Sequence, residues 1–320
     1  MCLKNVYFDT TTKDEKILAS DNVPKNAIKH VRSMGCPVHE ESYGPDELPE
    51  KLQHYDALIL RSATKITREV LNRMGPDSKL KLIVRAGVGL DNIDLEAARE
   101  MGIEVHNTPN SSIESVAELA LGHMLTLARH LQKSNITMRR GEWNKKVYKG
   151  VELSGSTLGV VGFGRIGRDL AQKAMALGMK VQYFDIMGEV KQLPDFTYVD
   201  FDTLIRTSDF ITLHVPKIEG EPHILGKPEF DKMKEGAYVI NCARGGLIDE
   251  DALLEALNSG KVAGAGLDVF EHEPPKNMAL IQHENVSLSP HIGASTQEAQ
   301  ERIGDELVEI FTTFCEGRNA

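Results

Sequence analysis

Residues 157–161, TLGVV, form a short apolar run that breaks at once into Gly162-x-Gly164-x-x-Gly167. A helical pattern opens within this loop, and a second apolar run ends at Asp185. Strand, tight turn, helix and strand within so short a stretch read as a parallel βαβ unit, and parallel sheets are covered on both faces. The three glycines have separate tasks. Gly162 permits the turn, Gly164 lets a pyrophosphate approach the backbone, and Gly167 lets the helix pack on the strand. The helix start, with Arg165 and Ile166, offers unsatisfied N–H groups to the phosphates. Asp185 suits the hydroxyls of an adenosine ribose and repels a 2′-phosphate, while Ile186 and Met187 bring no compensating cation. The expected cofactor is NAD rather than NADP.

The rest of the 320 residues reads as the same architecture twice. Length favours two domains, since single cores rarely grow past about 250 residues. Strand-like runs at 5–8, 57–60, 82–84 and 103–105 alternate with helical patterns at 24–34 and 94–101, which end at Gly35 and Gly102. A second alternation places strands at 157–161, 180–184, 210–213, 238–241, 263–267 and 286–288. Alternation of this kind implies α/β domains with parallel sheets. Residues 111–140 read as one helix of about 40 Å, long enough to connect two domains. Val116, Leu119, Ala120, His123 and Leu127 fall on one of its faces. The amphipathic pattern at 295–316 has no strand left to pair with in the second block and is expected to return to the first.

Charge and cysteine usage exclude several classes. Lys and Arg number 37 against 47 Asp and Glu, so the net charge of −10 supplies no global field for nucleic acid or an acidic membrane. No apolar run is long enough to span a bilayer, and the N-terminus, MCLKNVYFDTTTKDEK, has no signal-peptide core. Cys2, Cys36, Cys242 and Cys315 form no C-x-x-C pair and no zinc spacing. No metal is expected, and a reducing cytoplasm is the default.

Four further stretches follow the phosphate loop in a recognisable order: SDFITLHVP (208–216), NCARGGLIDEDAL (241–253), GAGLDVFEHEPP (264–275) and SPHIGASTQEAQ (289–300), and VRAGVGLDNIDLEAA (84–98) precedes it. In order and spacing the chain resembles the D-2-hydroxyacid dehydrogenase family over about residues 55–316. LRSATKIT (60–67), the 84–98 stretch and HIGASTQEAQ bring it nearest to the branch that oxidises 3-phospho-D-glycerate. The resemblance implies two Rossmann-like, doubly wound parallel-sheet domains. An NAD domain at 106–292 would be inserted in a substrate domain made of 1–105 and 293–320. Many members continue into a serine-binding regulatory domain; with the sequence ending at Ala320, that feedback is not expected.

Oxidising a secondary alcohol needs a base, a group that tunes it, and a cation for the substrate carboxylate and the developing carbonyl. His291 suits the first role, because an imidazole titrates near neutrality. Glu273 suits the second, with Glu271 and His272 as its neighbours, and Arg244 suits the third through two parallel hydrogen bonds. The family's His, Glu and Arg fall on these positions. The resemblance also sets His214, Val215, Cys242, Ala243, Asp268, Gly293 and Ala294 around the cofactor. Asp268 would accept from its carboxamide, and Cys242 would be a small packing residue.

The backbone of Ala86, Gly87, Val88 and Gly89 follows an apolar strand and is expected to bind the substrate carboxylate. A phosphate at the other end of the substrate needs cations: Arg61 and Lys65, with Arg140 from the basic segment 133–149, possible across a dimer interface where Trp143 fits. The expected partner is therefore a phosphorylated 2-hydroxy acid, and the assembly a homodimer or a dimer of dimers. A glyoxylate or hydroxypyruvate reductase is the enzymatic alternative. An NAD-sensing corepressor of the same fold is the alternative from another class.

Overall fold

The computed structural model describes residues 16–33, 35–218 and 220–316, so the strand expected at 5–8 lies outside the described residues. The chain divides into two compact units. One runs through Ser112 and resumes at Ala294, and the other is Ile113–Gly293.

In the first unit, β1 (Ile17–Ala19), β2 (Val38–Glu40), β3 (Ala57–Leu60), β4 (Leu82–Arg85) and β5 (Glu104–Asn107) form one parallel sheet in the order β2-β1-β3-β4-β5. The side-chain period of two sorts β3 between its faces. Ala57 and Ile59 join a core with Ala27, Ile28, Val31, Ile303, Leu307 and Phe311, whereas Leu58 and Leu60 join Leu52, Val70, Leu71 and Ala98. Both faces are therefore covered by helices, which is why β3 reads as an unbroken apolar run. The first of these cores joins helix Lys25–Ser33 to the C-terminal helix Gln297–Glu316.

The second unit holds a seven-stranded parallel sheet: β6 (Thr157–Val161), β7 (Lys180–Phe184), β8 (Thr197–Tyr198), β9 (Phe210–Leu213), β10 (Ala237–Asn241), β11 (Val262–Leu267) and β12 (Val286–Leu288). Its order is β12-β11-β10-β9-β6-β7-β8. Chain order reverses between β6 and β9, and open α/β sheets bind ligands beyond the strand ends at such a switch point. The six strands expected from sequence are present, and β8, only two residues long, is a seventh.

The single helix expected over 111–140 is broken. Helix Ile113–Ala128 stops, His130 adopts a left-handed conformation (φ 52°), and a second helix runs Leu131–Arg139. The Ala128 carbonyl accepts from Val151 N–H at 2.9 Å, so the returning chain takes an acceptor at the end of the first helix. Gly150 makes that approach possible, since a Cβ there would lie 2.3 Å from the same oxygen. Both pieces belong to the second unit, so the helix is not the inter-domain connection its length suggested.

Candidate active site

The segments carrying the expected site residues of the second unit leave its sheet at carboxyl ends of strands. After β6 the chain turns at Gly162 (φ 91°), where a Cβ would fall 2.5 Å from the His214 carbonyl oxygen and 2.6 Å from Val215 Cγ1. A Cβ at Gly167 would meet the Gly162 carbonyl at 2.3 Å, whereas one at Gly164 would meet nothing within 4 Å. Two glycines are thus demanded by packing and the third leaves its backbone open. Helix Arg165–Ala176 starts at Gly164 with no side-chain cap, so its first N–H groups remain for an anion. Asp185 accepts from Phe163 N–H at 2.7 Å and from Met187 N–H at 2.9 Å. A carboxylate offers about four acceptor positions, so ribose hydroxyls still have room. These residues fit a dinucleotide.

Beyond β9, His214 places Nε2 2.9 Å from Thr212 Oγ1. Its Nδ1 is shut off from solvent without a partner among the described residues, and burial pulls the imidazole down to about 4. It stands neutral at pH 7. Beyond β10, Asn241 shapes the turn that carries Arg244: its amide donates to the Arg244 carbonyl at 2.9 Å and accepts from Ala243 N–H at 3.0 Å. Cys242 is buried, and burial together with the Asp268 charge pushes its thiol up, which suits packing and not nucleophilic attack.

The central contact joins two loops. His291 Nδ1 lies 2.7 Å from Glu273 Oε2, and Glu273 Oε1 accepts from Phe270 N–H at 3.3 Å. Burial raises the Glu273 carboxyl, but the hydrogen bond and charge of His291, the Phe270 N–H and the Arg244 charge outweigh it, leaving the group below its ordinary value. A carboxylate at Nδ1 makes that nitrogen the donor and leaves Nε2 for proton exchange. Glu271 turns away and meets His223 Nε2 at 3.1 Å. Gly245 brings the loops together, since a Cβ there would sit 1.8 Å from the Phe270 carbonyl oxygen.

Asp268 is more occupied than its expected contact with a carboxamide implies. It accepts from Ser289 Oγ at 2.6 Å, Ile292 N–H at 2.8 Å and Gly293 N–H at 2.9 Å, while its carbonyl accepts from His291 N–H at 2.8 Å. Ala294 begins the returning part of the first unit, where its carbonyl accepts from Gln300 at 2.6 Å.

In the first unit, the glycine loop needs a correction. Ala86 N–H donates to Leu60 O at 2.8 Å and Gly87 N–H to Arg85 O at 2.9 Å, so neither is left for a carboxylate. Among the described residues no backbone acceptor takes the N–H groups of Val88 and Gly89. The neighbouring Arg61 segment is held firmly. Asp21 accepts from Arg61 N–H at 3.0 Å and Thr64 N–H at 2.8 Å, and Asn92 donates to the Arg61 and Thr64 carbonyls, both at 2.7 Å. Lys65 is exposed in this segment. Arg140 lies elsewhere: it lines a hollow of the second unit with Lys133, Thr137, Tyr148 and His283. The sequence reading missed Asn241, Asp21 and Asn92, whose work depends on folding and carries no local signal. It also missed the load on Asp268.

Residues 121–293 match the NAD binding domain of the D-isomer specific 2-hydroxyacid dehydrogenases. The chain is 50% identical over 275 residues to a hydroxypyruvate reductase of Thermotoga maritima, covering 85% of this chain and 89% of that one. It is 47% identical over 308 residues to a D-3-phosphoglycerate dehydrogenase of Methanocaldococcus jannaschii, covering 95% of this chain but 58% of the relative. The crystal structure of a D-lactate dehydrogenase from Aquifex aeolicus with NAD and lactic acid superposes with a TM-score of 0.82 at 31% identity, over 94% of this chain and 96% of that one. The chain belongs to the D-isomer specific 2-hydroxyacid dehydrogenase family. It is an NAD-dependent oxidoreductase of two parallel-sheet α/β units.

Proposed function

We propose that the chain oxidises 3-phospho-D-glycerate to 3-phosphohydroxypyruvate, the reaction that opens the phosphorylated route to serine. The hydrogen-bonded Glu273–His291 pair carries the chemical part of this reading. His291 Nε2 takes the substrate hydroxyl proton, and Glu273 offsets the charge this creates on the ring. Arg244 binds the carboxylate and steadies negative charge on the carbonyl oxygen. NAD, when bound, would supply the hydride acceptor that the oxidation requires. Gly162, Gly164, Gly167 and Asp185 would hold its phosphates and ribose.

The phosphorylated substrate is supported by Arg61, whose peptide is fixed on both sides by Asp21 and Asn92. It is supported as well by the likeness to phosphoglycerate dehydrogenases. The likeness to a hydroxypyruvate reductase favours a second reading in which the phosphate is absent. Comparing kcat/KM for 3-phosphoglycerate and D-glycerate in wild type and Arg61→Ala separates the two. Loss of a charge-assisted bond should cost the phosphorylated substrate about 1.5–3 kcal/mol and leave glycerate unchanged. Equal losses, or a wild type indifferent to the phosphate, would refute the phosphoglycerate reading.

The first unit is proposed as the substrate domain, with Val88 and Gly89 as its carboxylate donors. Exposed Trp143 and Val147 support self-association through the second unit. The buried thiols of Cys36 and Cys242 suit a reducing cytoplasm.

A further inference from the structure

We propose that His123, buried in the helix Ile113–Ala128, is a positioning residue that acts on His291 through Ser289 and Asp268. The inference rests on His291 being the group that moves the proton.

The observation begins at His291 itself. Its φ is 53°, in the left-handed region that non-glycine residues seldom occupy and that persists only where surroundings impose it. The imposing group is Asp268, 1% exposed. Its carboxylate gathers Ser289 Oγ, Ile292 N–H and Gly293 N–H, and its carbonyl takes the His291 N–H. The donors come from both sides of the catalytic ring.

Behind Ser289 stands His123, 5% exposed, with Nε2 3.0 Å from Ser289 Oγ and Nδ1 2.8 Å from Ser287 Oγ. Donor and acceptor roles here follow from counting protons. A carboxylate can only accept, so at 2.6 Å the single Ser289 hydroxyl proton belongs to Asp268. Ser289 must then accept from His123, which makes Nε2 the protonated nitrogen. Nδ1 is left to accept from Ser287. Burial lowers the pKa of the ring against the opposing Asp268 charge, a direction that agrees with one donor and one acceptor. His123 therefore commits Ser289 to Asp268, whose full set of donors holds the strained His291.

Room for this ring is made deliberately in the sheet. A Cβ at Gly266 on β11 would lie 2.6 Å from His123 Cβ, so the helix can deliver an imidazole to this depth only over a glycine. An apolar side chain would fill the space but could not donate to Ser289.

The test compares His123→Leu, His123→Gln and His123→Asn in the reduction of hydroxypyruvate with NADH, together with thermal unfolding. His123→Leu should lower kcat about tenfold or more, as displacement of a catalytic group by a fraction of an ångström does, with a much smaller change in KM for NADH. Gln places an amide N–H near the position of Nε2 and should restore most of kcat. Asn is one methylene shorter, reaches only toward Ser287, and should not. Ser287→Ala, which leaves the Ser289 contact intact, should keep near-normal kcat. His123→Leu turning over normally with only a lower Tm, or Asn rescuing as well as Gln, would overturn the inference. If the Leu variant fails to fold, the Gln and Asn pair still decides. His291→Asn separates the two levels. Turnover surviving there overturns the proton-transfer reading and this inference with it. Turnover lost there but kept in His123→Leu overturns the inference alone.

Discussion

Gly245→Ala adds one methyl group and should disable the enzyme. The glycine is not in the left-handed region, so alanine can adopt its backbone and no conformational penalty arises there. The added Cβ would sit 1.8 Å from the Phe270 carbonyl oxygen and 2.4 Å from its carbon. Carbon and oxygen rest at about 3.3 Å or more, so the Phe270 peptide must retreat by about 1.5 Å. Across the same Cα, the Phe270 N–H donates to Glu273, and Glu273 meets His291 at 2.7 Å. A shift of this size at a catalytic group costs about 10²-fold in rate, and the overpacking costs about 1–3 kcal/mol of stability. Gly246→Ala is the control. Its backbone is left-handed (φ 73°), but the nearest atom to a Cβ there is Lys217 Cε at 3.5 Å. It should lose about 1 kcal/mol or somewhat more of stability through strain and keep the two loops together. Steady-state NADH absorbance assays with thermal unfolding on both variants measure the two effects. If Gly245→Ala turned over as fast as Gly246→Ala, the claim that loop separation sets Glu273 would fail.

Asp185→Ala should weaken NAD binding by about 1–3 kcal/mol and narrow the gap to NADP; equal use of both cofactors by wild type would refute the assignment. Glu273→Gln removes the charge that favours a protonated partner, so the acid limb of the oxidation profile should move to lower pH; an unmoved limb would show that another residue tunes the base. Burial lowers both His123 and His214, the latter to about 4, so the unfolded chain binds these protons first. Stability is full above about pH 6.5 and should fall as pH drops, with His214 alone contributing about 2 kcal/mol of loss by pH 5. Urea midpoints at pH 7.5 and 5 check this, and a midpoint that stays level or rises on acidification would contradict it.

What the sequence shows in advance depends on whether a residue's task is local. The glycines of the phosphate loop announce themselves because turn, close approach and helix packing are demands made within a few residues. Strand β3 is legible because burial on both faces leaves an unbroken apolar run, whereas β2 buries only Val38 and carries no such signal. The break at His130 is hidden because its cause is the later arrival of Gly150 and Val151 at the Ala128 carbonyl. The capacity of the glycine loop was overestimated for a related reason: the Ala86 N–H is taken by Leu60, on another strand. His123 is the extreme case. On its helix it is a polar residue in an apolar stripe, and its partners lie 164 and 166 positions further along the chain.

The bond from Phe163 N–H to Asp185 has a consequence for how cofactor preference can evolve. The carboxylate proposed to discourage a 2′-phosphate also ties down the peptide between the first two glycines of the loop. A lineage drifting toward NADP by losing this acid would slacken the pyrophosphate site in the same step, and affinity for both dinucleotides would drop before any preference was gained. The viable route runs first through a substitution that gives the Phe163 N–H another acceptor, or through a cation at position 186 or 187, where Ile186 and Met187 are each 87% exposed and free to change. Preference for NAD is thus protected by epistasis, and the order of mutations matters as much as their identity.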